Sequence, residues 1–176
     1  MRSLADESRI RALMKALGEK AAGSGDVYFT GGATAVLMGW RPTTIDVDVF
    51  FEPESDRLLQ AIPELKESLR VNVELAAPHH FIPELSGWRN RSLPIGQEGR
   101  LSFHHFDLYS QVLAKIERSH QQDEIDVREM FQRGLVEPKN VMEFFEAIEP
   151  LLYRYPAVDA KGFRRAVETA VAAHKK

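Results

Sequence analysis

One stretch, Val27–Phe51, constrains the fold more than any other part of the chain, because two β segments in it flank a pair of glycines. Val27–Phe29 is the first β segment, and Ile45–Phe51 is the second. The first breaks at Thr30–Gly32, and the apolar segment Ala33–Trp40 that follows has the composition of a short helix. This order predicts a strand, a tight turn, a helix and a second strand.

The second β segment carries two aspartates at alternate positions, Asp46 and Asp48. Successive side chains of a strand point to opposite faces, so both carboxylates leave the same face, and we expect Ile45, Val47 and Val49 to face the core. Two adjacent carboxylates repel each other, and a hard cation such as Mg²⁺ relieves this repulsion while phosphates complete its ligands. The pattern therefore predicts a site for Mg²⁺ or Mn²⁺. The alternative is a pair of solvated acids on an edge strand.

The glycine pair is the second unusual feature. Gly31 and Gly32 stand where a strand meets a helix, and glycine allows the backbone to approach a bulky ligand closely. Helix N–H groups at such a place are donors for phosphate oxygens. The corner Arg41–Thr44 then leads from the helix into the acid-bearing strand.

The glycine pair, the helical spacer and the Asp46–Asp48 strand together resemble the nucleotidyltransferase superfamily that includes DNA polymerase β. The fuller pattern, GGATA followed by RPTTIDVDVF, is similar to the AbiEii-type and related minimal nucleotidyltransferases, a group with many toxins. The resemblance implies an α+β fold (α/β mixed), in which a small mixed sheet is flanked by helices and followed by a C-terminal helical region. It covers about residues 26–156.

The resemblance also implies a reaction and its metal ligands. An NMP moves from an NTP to a hydroxyl of an RNA, for example a tRNA 3′ end, or of a protein. Asp46 and Asp48 would hold one or two Mg²⁺ ions. Glu74, in the predicted strand Arg70–Leu75, matches the position of the third acid of the superfamily, which would bind metal and help deprotonate the acceptor. A solvent-facing Glu74 is the open alternative.

Other residues are implied to contact the nucleotide. Those around the turn and the corner would cradle the triphosphate or shape the turn, and they are Thr30, Gly31, Gly32, Arg41 and Thr44. A second motif lies in residues 113–127, LAKIERSHQQDEIDV, and resembles a helical motif of the AbiEii-type enzymes. There Lys115 would neutralise phosphate charge, while Asp123 and Asp126 would orient the lysine or the nucleotide. The alternative for this motif is a pair of surface helices joined by ion pairs.

The remaining segments predict a sheet domain followed by helices. A helix is expected over residues 3–20 with Ser3 as its N-cap. Another, capped by Ser55-Asp56, is expected to run to about Leu69, and Pro63 should produce a kink or a split in it. Residues 1–106 are predicted to form the nucleotidyltransferase-like core, and residues 107–176 a helical region packed on it.

Composition constrains the cellular compartment of the protein and the kind of partner that it binds. The net charge of −3 argues against a broadly basic coat for DNA, and the absence of cysteine fits a reducing compartment. No apolar run approaches the roughly 20 residues that span a bilayer, so we expect a cytoplasmic protein without a membrane partner. The expected partners are an NTP, an RNA or protein acceptor, and an antitoxin protein. The alternatives are a weakly catalytic nucleotide-binding protein on the same fold, a metal-dependent hydrolase and a structural module.

Overall fold

The chain divides into two units in the computed structural model, which describes residues 3–175. The first unit contains the described residues up to 77 together with 92–106, and the second contains 78–91 together with those from 107 onward. Segment 78–91, which the sequence-based division placed with the sheet, groups with the helices that follow residue 106. Residues 1, 2 and 176, which the predicted domain ranges include, lie outside the described residues.

The first unit is built on a five-stranded mixed sheet with the strand order β3-β2-β1-β5-β4. Its strands are β1 (Gly25–Thr30), β2 (Asp46–Glu52), β3 (Asn72–Leu75), β4 (Leu93–Glu98) and β5 (Leu101–His105). β1 pairs antiparallel with β2 and parallel with β5, β2 pairs parallel with β3, and β4 pairs antiparallel with β5. The predicted α+β class, a small mixed sheet flanked by helices, is confirmed.

The helices of the first unit are α1 (Glu7–Lys20), α2 (Gly32–Met38) and α3 (Asp56–Leu69). Apolar stripes of α1 and α3 pack against one face of the sheet, and the start of α2 joins the same core. The principal core residues are Ile10, Leu13, Met14, Leu17, Val27, Phe29, Ala33, Val36, Val47, Val49, Leu58, Ile62, Leu65, Val73, Leu101 and Phe103. One face of the sheet is therefore apolar and covered by helices.

The start of α1 differs from the prediction. The predicted N-cap, Ser3, is wrong, because Asp6 caps the helix by accepting a hydrogen bond from the Arg9 N–H at 2.9 Å. The residue before this cap, Ala5, is instead in an extended pairing with Thr44. That pairing holds the chain extended, so the helix begins only after it.

α3 also corrects a prediction. Its predicted cap is confirmed, since the Ser55 side chain accepts a hydrogen bond from the Leu58 N–H at 3.3 Å. The helix then runs without interruption to Leu69, so the expectation that Pro63 splits it is wrong. Pro63 lies on the exposed side of the helix, where water can bond the carbonyl that the proline leaves without an N–H partner.

Two apolar residues of the predicted strands are exposed, and one of them, Ile45, was expected to face the core. Ile45 is 50 % exposed and Leu75 is 52 % exposed, although both match the apolar alternation of their segments. Each lies at a strand end: β2 begins at Asp46, and β3 ends at Leu75. The alternation holds inside the strands, where the sheet is covered, and fails at their ends.

The second unit consists of helices and short 3-10 segments. The helices are α4 (Trp88–Arg91), α5 (Leu108–Arg118), α6 (Gln121–Gln132), α7 (Pro138–Ile148) and α8 (Ala160–His174). The 3-10 segments are Pro78–His80 and Glu149–Arg154. Among residues 3–175, no helix combines the length and the apolar character that crossing a bilayer requires.

Asp107 joins segment 78–91 to the helices of the second unit. Its buried carboxylate caps α5 by accepting from the N–H groups of Tyr109 and Ser110, both at 3.3 Å. The same carboxylate accepts two hydrogen bonds from the Arg91 guanidinium, at 3.1 and 2.9 Å. Arg91 in turn stacks over the Phe144 ring of α7, with its Cζ 4.3 Å from the ring centroid. One carboxylate thus connects α4, α5 and, through the arginine, α7.

His105 supports the first turn of α2 from inside the first unit. Its Nδ1 lies 3.1 Å from the Thr34 hydroxyl, and that hydroxyl donates to the Phe29 carbonyl at 3.4 Å. Because the hydroxyl hydrogen is used there, the imidazole donates through Nδ1–H. Burial, together with the positive charge of Arg11, lowers the pKa of His105 to about 4.

This lowered pKa predicts a loss of stability on acidification. The unfolded chain protonates His105 near its ordinary pKa of 6.5, while the folded protein keeps it neutral down to about 4. The free energy of unfolding should therefore be unaffected above pH 6.5 and fall between pH 6.5 and 4, with a loss on the order of 2 kcal/mol at pH 5. Urea denaturation of the parent and of His105→Gln at pH 7 and pH 5 measures this, and the variant should lose less. The exposed His80→Gln should behave as the parent, and equal losses in all three proteins would contradict the assignment.

Candidate functional site

The acid pair lies on the face of the sheet that α1 and α3 leave uncovered. Val47 and Val49 of β2 are completely buried in the core, whereas Asp46 and Asp48 are half-buried on the other face. The burial of the two valines fixes the direction of the two carboxylates, because the side chains of a strand alternate. The predicted common orientation of Asp46 and Asp48 is confirmed.

The strand register brings further polar residues to this face. Asp48 is paired with Thr30 of β1 on one side and with Glu74 of β3 on the other. Paired residues share a face, so the three side chains form one row across the sheet. Asp46 is paired in the same way with Asn72. Glu74 is exposed, and Thr30 is buried.

Asn72 is the site residue that sequence reasoning missed. Its side-chain Nδ2 donates to Asp46 Oδ1 at 2.5 Å and to Glu74 Oε1 at 3.2 Å. The alternation of β3 already placed Asn72 on the same face as Glu74, but only the register between β2 and β3 places it beside Asp46. Within the described part of the chain, no three His, Asp or Glu side chains are grouped so that they could hold a metal ion. The residue beside the Asp46 carboxylate is thus an amide, Asn72, and not a third acid.

The glycine turn lies against the acid-bearing strand. Gly31 has a φ of +66°, a conformation that disfavours any side chain, and a Cβ there would lie 3.0 Å from Asp48 Oδ2. At Gly32 a Cβ would lie 1.9 Å from the Thr44 hydroxyl oxygen and 2.9 Å from Arg41 Nη1. The two glycines are thus required by close packing against the acid strand and against the corner.

The corner residue Thr44 joins the turn to the acid strand. It is buried, and its hydroxyl donates to the Asp46 carbonyl oxygen at 3.0 Å. Its backbone pairs with Ala5 through two hydrogen bonds of 2.8 and 2.9 Å. These contacts give Thr44 a part in shaping the turn, together with Arg41. Contact of either side chain with phosphate stays a prediction.

Aromatic rings occupy the next row of the same face. Tyr28 of β1 is paired with Phe50 and with His104, and its ring stacks on His104 with centroids 4.9 Å apart. Phe106 closes the cluster, with its ring edge-on to Tyr28 at 5.8 Å and to Phe50 at 6.3 Å. His104 also forms a hydrogen bond with Asp26, at 2.8 Å. The row of acids is therefore bordered on one side by a packed aromatic cluster.

The second motif forms a buried ion-pair network in the second unit. Lys115 of α5 is only 5 % exposed, and its Nζ lies 2.8 Å from Asp126 Oδ2 and 3.5 Å from Asp123 Oδ1. Asp126 is completely buried, and it also accepts from the Gln122 amide at 3.4 Å. The alternative of two helices joined by Lys–Asp and Arg–Asp ion pairs matches these contacts, but Lys115, Asp123 and Asp126 are buried and do not lie at the surface.

Asp123 completes this network. The Arg118 guanidinium donates to both of its carboxylate oxygens, at 2.8 and 2.6 Å, and the His120 N–H donates at 3.2 Å. Burial alone raises the pKa of Asp123, but the Arg118 hydrogen bonds and the charges of Lys115 and Arg118 outweigh it, so the pKa lies below its ordinary value. Two cations and two anions balance here. A phosphate role for Lys115 stays a prediction.

Comparisons with known proteins identify one family. A family model described as "Nucleotidyltransferase of unknown function (DUF6036)" matches residues 6–168. Searches of curated proteins and of solved structures find no match. The matched range contains both the acid pair with its glycine turn and the ion-pair network of the second unit.

The packing of Gly32 predicts a strong effect of one methyl group. Gly32→Ala should lower the free energy of unfolding by about 1–3 kcal/mol, because the added carbon overlaps the Thr44 side chain. Gly23→Ala is the control, since nothing lies within 4 Å of its Cβ position, and it should change stability by less than about 0.5 kcal/mol. Urea denaturation compares the two, and a Gly32→Ala protein as stable as the parent would contradict the described packing.

The ion-pair network predicts a second stability effect. Asp126→Ala leaves the buried ammonium of Lys115 with only its longer contact to Asp123, and it should cost about 3–5 kcal/mol. Glu143→Ala removes the partner of Lys139 in an exposed pair at 3.9 Å, and its effect should stay below about 1 kcal/mol. Both are measured by denaturation at neutral pH. Similar small effects for both variants would show that Lys115 does not depend on Asp126.

Proposed function

Because the chain belongs to the nucleotidyltransferase family of unknown function whose model matches residues 6–168, we propose that it transfers the NMP of an NTP to a hydroxyl acceptor. One observation carries this proposal beyond the family: Asp46 and Asp48 project together from one face, directly beside a glycine turn. A polyphosphate bound at this turn would lie against the two carboxylates.

The donor set fits a divalent cation. Mg²⁺ is usually held by one or two carboxylates together with substrate phosphates, so Asp46 and Asp48 suffice without a complete cage of protein ligands. Glu74, in the same row as Asp48, is the further carboxylate that we propose for a second ion. Mg²⁺ or Mn²⁺ held there would stabilise the attacking and leaving oxygens of an in-line displacement.

The residues of the chain position the triphosphate and accept the proton of the acceptor hydroxyl. We assign Thr30, Gly31 and Gly32 to the triphosphate, since this turn lies beside the acids. The acceptor oxygen bonds to the α-phosphorus, the bond from this phosphorus to the β-phosphate oxygen breaks, and pyrophosphate leaves. Glu74 takes the proton of the acceptor hydroxyl, because its carboxylate is exposed and belongs to the row of Asp48.

The acceptor class and the biological role belong to the proposal as well. The similarity of GGATA and RPTTIDVDVF to AbiEii-type enzymes supports an RNA 3′ end or a protein side chain as acceptor, and a toxin controlled by an antitoxin in the cytoplasm. These roles rest on the sequence pattern, since family membership alone leaves the acceptor open.

A second candidate is an NTP-binding protein with weak transfer activity. The observation that favours it is the amide of Asn72 beside Asp46, together with the exposure of Glu74. This arrangement gives the turn two half-buried carboxylates, Asp46 and Asp48, while the third acid, Glu74, is exposed. Saturable NTP binding without a labelled acceptor would indicate this function.

Removal of the acid pair tests the transfer reaction. The protein is incubated with each of the four NTPs, radiolabelled at the α-phosphate, with Mg²⁺ and a whole-cell RNA and protein extract. We expect one acceptor band to be labelled by the parent, and the label to fall at least about 100-fold in Asp46→Ala/Asp48→Ala, because the charge that develops on phosphate is no longer stabilised.

The control for this experiment is Glu52→Gln, which changes a carboxylate on the same strand and face but at its other end. Its labelling should equal that of the parent. A double variant that labels the acceptor as well as the parent would exclude the proposed mechanism. Free nucleoside monophosphate without a labelled acceptor would indicate a hydrolase instead.

A further inference from the structure

We propose that Asn72 is a positioning residue that orients Asp46 and Glu74 for the binding of a divalent cation. This inference rests on the proposed function, and it assigns a role to a residue that the acid pattern of the sequence does not include. The amide donates a hydrogen bond to each of these two carboxylates.

The strand register places the amide where it can serve both acids. Asn72 is paired with Asp46 across β2 and β3, and it precedes Glu74 by two residues on its own strand. All three side chains therefore lie on one face. A primary amide nitrogen has two hydrogens, and Asn72 uses one for each carboxylate, at 2.5 Å to Asp46 and 3.2 Å to Glu74.

The identity of the atom that faces the acids follows from the same contacts. A carbonyl oxygen turned toward two carboxylate oxygens would repel both, so the nitrogen of Asn72 must face them. Each bond uses only one oxygen of its carboxylate, Asp46 Oδ1 and Glu74 Oε1.

The chemistry of an amide suits this position better than that of a basic side chain. Lys or Arg between the two acids would also hold them, but its positive charge would cancel the charge that attracts a cation. The amide holds the carboxylates without neutralising them. Hydrogen bonds of this kind, made to a carboxylate that binds metal, typically contribute 10- to 100-fold to metal affinity.

A purely structural role for Asn72 is the competing explanation. In that case the side chain would only attach the edge strand β3 to β2. The two strands are already paired through four residues, from Asp46 with Asn72 to Val49 with Leu75. Loss of the amide should therefore affect the carboxylates more than the fold.

The experiment measures Mn²⁺ binding by the full chain without nucleotide, using the paramagnetic resonance signal of the free ion. Asn72→Leu, which keeps the size of the side chain and removes its donors, should bind Mn²⁺ about tenfold more weakly than the parent. Asn72→Ala should show the same loss of affinity, and it replaces Asn72→Leu in the test if the leucine variant does not fold. Asn72→Asp adds a carboxylate and should bind at least as tightly as the parent.

A role in strand attachment alone would instead lower the melting temperature of all three variants and leave the affinity of the folded protein unchanged.

The controls separate this inference from the proposed function. Asn90→Leu, at an exposed asparagine of the second unit, should bind as the parent does, and Asp46→Ala/Asp48→Ala should not bind. If the parent binds and the double variant does not, while Asn72→Leu and Asn72→Ala stay within twofold of the parent, only the role of Asn72 is overturned. If the parent itself binds no Mn²⁺, the metal-dependent function is overturned together with it.

Discussion

The candidate site depends on the burial of two valines in the middle of the sheet. Val47 and Val49 are completely buried between the sheet and its helices, and a shift of β2 by one residue would turn them into solvent and the aspartates into the core. Each buried valine contributes roughly 1.5–3 kcal/mol, whereas burial of an unpaired carboxylate is strongly unfavourable. The apolar side of the strand thus determines where the acids point. The direction of Asp46 and Asp48 is set by the core and does not require a ligand.

Close packing also explains the order in which the glycines, the corner and the acids follow one another along the chain. Gly32 must lack a side chain because Thr44 and Arg41 of the corner pack against it, and Gly31 must lack one because of its backbone conformation and its closeness to Asp48. The glycines, the corner and the acids are therefore parts of one packed structure, even though they are separated by a helix. A sequence pattern with this order reports on packing as much as on chemistry, so its presence alone does not identify a substrate.

The sequence predicted the features that depend on local periodicity. The common face of the two aspartates, the helical cap at Ser55 and the α+β class follow from alternation, capping chemistry and the family resemblance. Features that depend on pairing between distant segments were not predictable. Asn72 enters the site only through the register of β3 on β2, and the true cap of α1 follows from the pairing of Ala5 with Thr44. Exposure at strand ends, as at Ile45, likewise depends on how far the helices extend over the sheet.

β3 is one of the two edge strands of the sheet, with a hydrogen-bonded neighbour on one side only. An edge strand of four residues can separate from its neighbour at much lower free energy than a central strand. Asn72 and Glu74 would leave with it, while Asp46 and Asp48 would stay on β2, which is also paired with β1. An ion held from both strands would therefore oppose this separation and slow the hydrogen exchange of β3.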